Sequence, residues 1–136
     1  MSLGNSYEDR ILDSMIGSTQ LTASNTLWIG LSTGTIADDA SGLAEPSGNG
    51  YARVATVNSS NAWSASASGV KRNAAAITFP TATGSWGNVT DFAIWAAATS
   101  TGVGAMIAYG TLGTAKNITN GDAPSFGVGS LALSLD

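Results

Sequence analysis

The sequence predicts an all-β fold, a jelly-roll-like antiparallel β-sandwich of about eight strands with one short N-terminal helix. Three observations predict it. Short runs of β-branched and aromatic residues recur along the chain, each bounded by Gly, Pro, Asn or Asp, which is the signal of strands and tight turns. Helical periodicity occurs in one place, near the N-terminus. Charged residues make up only 10% of the chain, with Gly, Ser, Thr and Ala dominant, against roughly 25% charged in an ordinary soluble domain. Such a surface of hydroxyls and small side chains suits a β-protein whose faces meet other copies or other proteins. At 136 residues the chain fits one core, read here as a helical segment at 1–20 and a single β-sandwich domain at 21–136.

In the helical segment, residues 4–16, Tyr7, Ile11, Leu12, Met15 and Ile16 form an apolar stripe, and Glu8, Asp9, Arg10 and Asp13 take the other side. Asn5 or Ser6 is the expected N-cap, with acids in the first turn where the helix dipole favours them. Gly17 suits the position just past the end. About three turns are marginal alone, so this helix must dock, and its own domain is the expected support.

Leu27, Ile29 and Leu31 alternate with Trp28, Gly30 and Ser32 as a half-buried strand. The long loop 33–50 carries Asp38, Asp39 and Glu45 but lacks the acid spacing of a calcium loop. Loops of this length are functional or disordered, so it is read as solvated or ordered by a partner. Residues 51–57 form the next strand, 61–65 a short one with Trp63, and 69–73 a turn with Lys71 and Arg72. The stretch 77–95 is central. Ile77 and Phe79 alternate, Pro80 stops the pairing, a polar link carries Trp86, and an apolar run resumes from Val89 to Trp95. Residues 96–104 read as a hairpin link, 105–112 and 116–119 as strands, and Asn120-Gly121-Asp122 as a turn. Leu131, Leu133 and Leu135 alternate with Ala132 and Ser134 in a closing strand. No fixed-period repeat accompanies them.

The net charge is −4, and Arg10, Arg53, Lys71, Arg72 and Lys116 are scattered. No counterion-releasing stripe forms, so nucleic acid is not an expected partner. No apolar run approaches the roughly 20 residues that span a bilayer, and the N-terminus has no basic region leading into an apolar one. Cysteine is absent, which permits a reducing compartment. Histidine is absent too, so the Ser-His-Asp and Cys-His arrangements and the usual zinc ligand sets cannot be assembled. The chain is read as a non-enzyme with no cofactor and no metal. Asp91 is the one acid in an expected strand and is expected at an edge, facing outward, or paired with Arg53. The Gly-Val-Gly runs at Gly102 and Gly127 lack a nucleotide fingerprint and read as turns. The Asn-x-Ser/Thr matches at Asn58, Asn88 and Asn117 are chance products of a Ser/Thr-rich chain. Trp28, Trp63, Trp86 and Trp95 read as core or interface anchors ahead of platforms for sugars.

The segments NSYEDRILDSMIG, TLWIGLST, SGLAEPSGNGYARV, ITFPTATGSWGNVTDFAIW and GSLALSLD, in that order, resemble a group of small tailed-phage virion proteins. Members of that group often carry a loose tail-fibre label. The group is similar to capsid cement, or decoration, proteins of jelly-roll fold. The likeness covers nearly the whole chain, and GYARV together with FPTATGSWG is its specific part. The doubled Asp38-Asp39 and the Pro46 after Glu45 depart from it, which makes loop contacts the least transferable part. The resemblance implies a protein made in the host bacterial cytoplasm and located on the outer capsid surface of the virion. There it would bind the major capsid protein of the expanded shell, self-associating as a dimer ahead of a trimer, with no nucleic acid and no membrane. The contact residues expected on that reading are Tyr7, Arg10 and Ile11 in the N-terminal segment, Glu45, Tyr51 and Arg53 at the loop exit, and Trp86 as a turn aromatic. The alternative is a tail- or fibre-associated virion protein that binds host glycans. A fibre shaft would need long repetitive or heptad sequence, which this chain lacks.

Overall fold

A computed structural model describes residues 1–135. Its strands are β1 (Ser2–Leu3), β2 (Thr26–Ser32), β3 (Val54–Val57), β4 (Val70–Arg72), β5 (Ile77–Thr78), β6 (Gly87–Trp95), β7 (Met106–Ile118), β8 (Ser125–Phe126) and β9 (Ala132–Ser134). Helix α1 spans Asn5–Met15, and a single 3-10 turn, Val103–Ala105, precedes β7. Five strands form one antiparallel sheet in the order β1-β7-β6-β2-β3, while β4 pairs with β9 and β5 with β8 as separate ribbons. The all-β antiparallel sandwich with one short helix is therefore the observed fold.

Strand β6 lies in the middle of the sheet, and its register sorts the side chains into two faces. Ile29 pairs with Ile94 and Leu31 with Phe92, which places these four on one face. Trp28 opposite Trp95, Gly30 opposite Ala93 and Ser32 opposite Asp91 occupy the other. The first face packs under the two ribbons and the coil between them, with Trp63, Ile77, Phe79, Trp86 and Leu131 closing the main core. The second face is covered by loop 33–50, whose Ile36, Ala40 and Leu43 pack on Ala93, Trp95 and Met106. A strand buried on both faces needs no polar alternation. This is why 92–95 reads as unbroken Phe-Ala-Ile-Trp. The loop expected to be solvated or ordered by a partner is instead the second lid of the chain's own sheet.

Three local readings change. Residues 105–112 and 116–119 belong largely to one strand, β7, interrupted by a bulge: Val89 pairs with Lys116 and Asp91 with Thr111, so 112–115 oppose Thr90 alone. The stretch 69–73, read as a turn, contains β4, whose partner β9 lies far along the chain. The strand at 61–65 reduces to a single bridge between Trp63 and Asn73. Asn73 organises that region from inside: its side-chain amide donates to the carbonyls of Ala75 and Gly127 at 2.9 and 2.8 Å, and its oxygen accepts from Leu131 N–H at 2.9 Å.

Helix α1 begins by tertiary contact rather than by the expected Asn5 or Ser6 cap. Gly4 is the capping residue and no side chain caps the helix. Gly4 N–H donates to Ile107 at 3.0 Å and Asn5 N–H to the Asp38 carbonyl at 3.1 Å. A Cβ at position 4 would lie 2.7 Å from the Met106 carbonyl oxygen, so only glycine permits this approach.

Candidate partner-binding surface

Ser32, on the second face, shapes the loop exit. Its Oγ accepts from Gly34 N–H at 3.1 Å and from Ala44 N–H at 3.0 Å, and donates to the Gly34 carbonyl at 2.8 Å. Folding the loop this way carries Glu45 over Gly30, where an added Cβ would meet Glu45 Oε1 at 2.8 Å and Trp95 Nε1 at 3.2 Å. Arg53 then grips Glu45 twice, from Nε to Oε1 at 2.8 Å and from Nη2 to Oε2 at 2.7 Å. Its Nη1 donates to the carbonyls of Ala97 and Ser100, both at 2.9 Å, and its guanidinium lies 4.0 Å above the Trp95 ring. The Tyr51 hydroxyl donates to Glu45 Oε1 at 2.7 Å and accepts from Leu31 N–H at 2.9 Å. Burial, and then this bond to Glu45, push the Tyr51 phenol well above its ordinary pKa.

Glu45, Tyr51 and Arg53, expected as contact residues, are thus brought together, but they satisfy one another. Only 3% of the Arg53 side chain and 17% of that of Glu45 is exposed. Trp86 corrects the reading of a presented turn aromatic. It is 5% exposed, donates from Nε1 to the Asn49 carbonyl at 2.8 Å and meets Tyr51 edge-on at 5.2 Å. Asp91 is neither at an edge nor paired with Arg53. It is buried beneath the loop, with Oδ2 accepting from Ile36 N–H at 3.4 Å and Thr111 Oγ1 at 3.3 Å. Its Oδ1 has no partner among the described residues.

The N-terminal candidates divide. Tyr7 is buried and anchors α1, with the exposed Arg10 guanidinium 4.8 Å over its ring, and Ile11 is half-buried. The outward side of the helix instead shows Leu12 at 59%, Met15 at 74% and Ile16, just past its end, at 82% exposure, followed by Leu21 at 40%. A groove of 340 Å³ between Arg10, Asp13 and residues 19–22 adjoins them. A signal for this was present in the sequence. At 100° per residue Ile16 lies about 180° round the helix from Tyr7, so the apolar stripe is too wide for one supporting surface.

A second open region is a 370 Å³ pocket in which Trp28, Glu45, Arg53, Ala98 and Thr99 meet. Among the described residues no group of three or more metal-ligating side chains gathers, and no helix is long and apolar enough to cross a membrane. The arrangement offers surfaces for contact: one apolar helix face, a small pocket beside a locked ion pair, and a further 370 Å³ pocket between Leu112, Lys116 and Pro124.

A comparison with curated proteins finds no match. Residues 2–134 match the family described as Podophage GP4 fiber I protein gp80, and the chain belongs to that family of phage virion proteins.

Proposed function

We propose that the chain is a non-enzymatic structural module held to a neighbouring virion protein by the outward face of α1. The observation that carries this reading is the exposure of Leu12 and Met15 at the end of α1 and of Ile16 just past it. Contiguous exposed apolar surface on an otherwise well-packed domain marks a protein contact. The i, i+3 spacing of Leu12 and Met15 is that of a helix face laid into a groove, and Ile16 extends the apolar surface at its end. Burying three such side chains is worth about 1.5–3 kcal/mol each before the cost of association.

The family description names a fibre, and the first place we assign is a fibre- or tail-associated position, with the domain attached to a longer component. The second reading is a cement protein on the outer surface of the expanded capsid, clamping the major capsid protein with self-associated copies, a dimer ahead of a trimer. A rigid domain with its ion pair satisfied internally and only 10% charged residues favours this second reading, because such a block can fit a dry lattice contact. Binding one shell state alone would stabilise that state by mass action.

The test is co-sedimentation of the purified protein with tailed particles lacking it, and separately with expanded and unexpanded tail-less capsids. Saturable binding to tailed particles alone places it on the fibre or tail, and binding to expanded shells places it on the capsid. A triple variant, Leu12→Glu, Met15→Glu and Ile16→Glu, should bind at least about tenfold more weakly while its stability changes by about 0.5 kcal/mol or less per site. Full binding by that variant would remove α1 from the interface.

A further inference from the structure

Strand β3 ends the five-stranded sheet, and its outer edge has no strand beside it among the described residues. Which of its backbone groups face outward follows from the ladder. Asn58 N–H donates to the Asn25 carbonyl at 2.9 Å. The register then pairs Val57 with Thr26, Thr56 with Leu27, Ala55 with Trp28 and Val54 with Ile29. Hydrogen-bonded and non-hydrogen-bonded pairs alternate along an antiparallel ladder, so Thr56 and Val54 exchange bonds with β2. Ala55 and Val57 turn their N–H and C=O groups away from the sheet. The Val57 carbonyl accepts from Ser59 N–H at 3.0 Å and keeps a second lone pair.

Folded proteins blunt such edges with charge, proline or a bulge, because an open edge templates another strand. The opposite edge of this sheet is blunted in that way. Beyond the short cover of β1, β7 carries the exposed Lys116 and the bulge at 112–115. Strand β3 has none of these devices. Its sequence is Val-Ala-Thr-Val in regular register, with Ala55 exposed and Val57 63% exposed. No residue from 14 to 37 or from 54 to 70 is charged. Two copies therefore meet at this edge without the repulsion that a net charge of −4 would bring elsewhere.

We propose that β3 pairs antiparallel with β3 of a second copy about a two-fold axis at Thr56, joining the two five-stranded sheets into one. This position of the axis bonds both outward residues of each β3 to the other β3. Ala55 exchanges hydrogen bonds with the partner's Val57, and Val57 with the partner's Ala55. Thr56 faces the partner's Thr56 as a non-hydrogen-bonded pair, with Cα atoms about 4.5 Å apart and hydroxyls within reach of each other. A second copy supplies the matching edge by symmetry. The pair gives the self-association of the cement reading a place on the molecule, separate from the α1 face. It stands on the edge geometry whichever virion position the domain takes.

Cysteine is absent from the chain, so single-cysteine variants read the pairing directly. Thr56→Cys should oxidise to a covalent dimer at least about tenfold faster than Leu12→Cys, because paired positions meet disulfide geometry and the exposed helix position relies on collision. Sedimentation velocity of the wild type should show a monomer–dimer equilibrium. Val57→Pro removes an N–H that the domain itself does not use, and edge strands accept proline there. It should melt as wild type and sediment as a monomer. Ala55→Lys should also give a monomer, through like charges brought close to the axis. The α1 triple variant should keep the dimer and Val57→Pro should still bind virion particles, so failure of one surface is distinguishable from failure of the other. A wild-type monomer at every concentration would leave the edge to a strand of another protein and overturn the pairing. A dimer that survives both Val57→Pro and Ala55→Lys, or a Thr56→Cys dimer that forms no faster than that of Leu12→Cys, would overturn it as well.

Discussion

Glu45 and Arg53 hold each other at 2.7 Å beneath the loop exit, and Tyr51 completes the group by bonding Glu45 and the backbone of β2 at once. Freeing either charge for an outside partner would leave the other unpaired, a loss of about 3–5 kcal/mol for a buried pair. The group therefore works inside the chain, pinning the loop and forming one wall of the pocket. Tyr51 gives this a pH signature. Its phenol is raised above the ordinary 10.0, by burial first and by the Glu45 bond second. Above pH 10 the unfolded chain releases the Tyr51 proton while the folded chain keeps it, so the unfolded state binds fewer protons and stability falls as pH rises. The contribution is whole below pH 10 and drains at about 1.4 kcal/mol per pH unit above it. Tyr109 is raised as well, chiefly by its hydrogen bond to Asp38, but solvent around it leaves it the smaller share. Urea unfolding from about pH 8 to about pH 11 should show this decline. Tyr51→Phe should be less stable at neutral pH by about 1–3 kcal/mol, through the unpaired Leu31 N–H and Glu45 oxygen. Its alkaline slope should be shallower by about 1.4 kcal/mol per unit. An unchanged slope would mean that Tyr51 titrates no differently folded than unfolded.

Among the elements, α1 is supported at one end only. Its first turn is tied by Gly4, Asn5 and Tyr7, whereas Leu12 and Met15 near its end cover nothing. A helix of 11 residues is marginal without tertiary support, so its last turn is the expected place of local opening. Amides of residues 12–15 should exchange at least about a hundredfold faster than those of Phe92 to Trp95 in β6. Equal protection would mean that a second copy or another surface already covers the helix in solution. This division between elements also explains what the sequence made legible. Strand β6 was plain because its unbroken apolar run needs burial on both faces. Glu45, Tyr51 and Arg53 were named only as loop-exit contacts that the resemblance implies, and Arg53 was matched with Asp91 rather than with Glu45. Their inward orientation was hidden, because it depends on Ser32 turning the loop back, and one hydroxyl carries no periodic signal. The lid formed by Ile36, Ala40 and Leu43 was equally hidden, since three apolar residues without a period look like coil. Strand β4 was lost to the turn chemistry of Gly69 and two basic residues, because its partner β9 is a distant segment that local pattern cannot supply.

For the molecule as a whole, the decisive feature is that two cores share one sheet. Phe92 and Ile94 point into the core under the ribbons, while Ala93 and Trp95 of the same strand face the lid. Unfolding either core removes support from the sheet that forms the floor of the other, so the two have no independent stability. This favours a single all-or-none transition, and it gives a virion protein a rigid block whose contact surfaces keep their shape under load. The tryptophans report on both sides: Trp63 and Trp86 sit in the first core and Trp95 in the second. The double variants Trp63→Phe/Trp86→Phe and Trp28→Phe/Trp95→Phe, each removing the reporters of one core, should give fluorescence midpoints that agree with far-UV circular dichroism of the same variant. Both variants should unfold with one denaturant slope. If the fluorescence of Trp28 and Trp95, read in a Trp63→Phe/Trp86→Phe background, moved at lower denaturant than the dichroism, loop 33–50 would be a separately opening lid. The Glu45–Arg53 wall of the pocket would then open with it before the sheet unfolds.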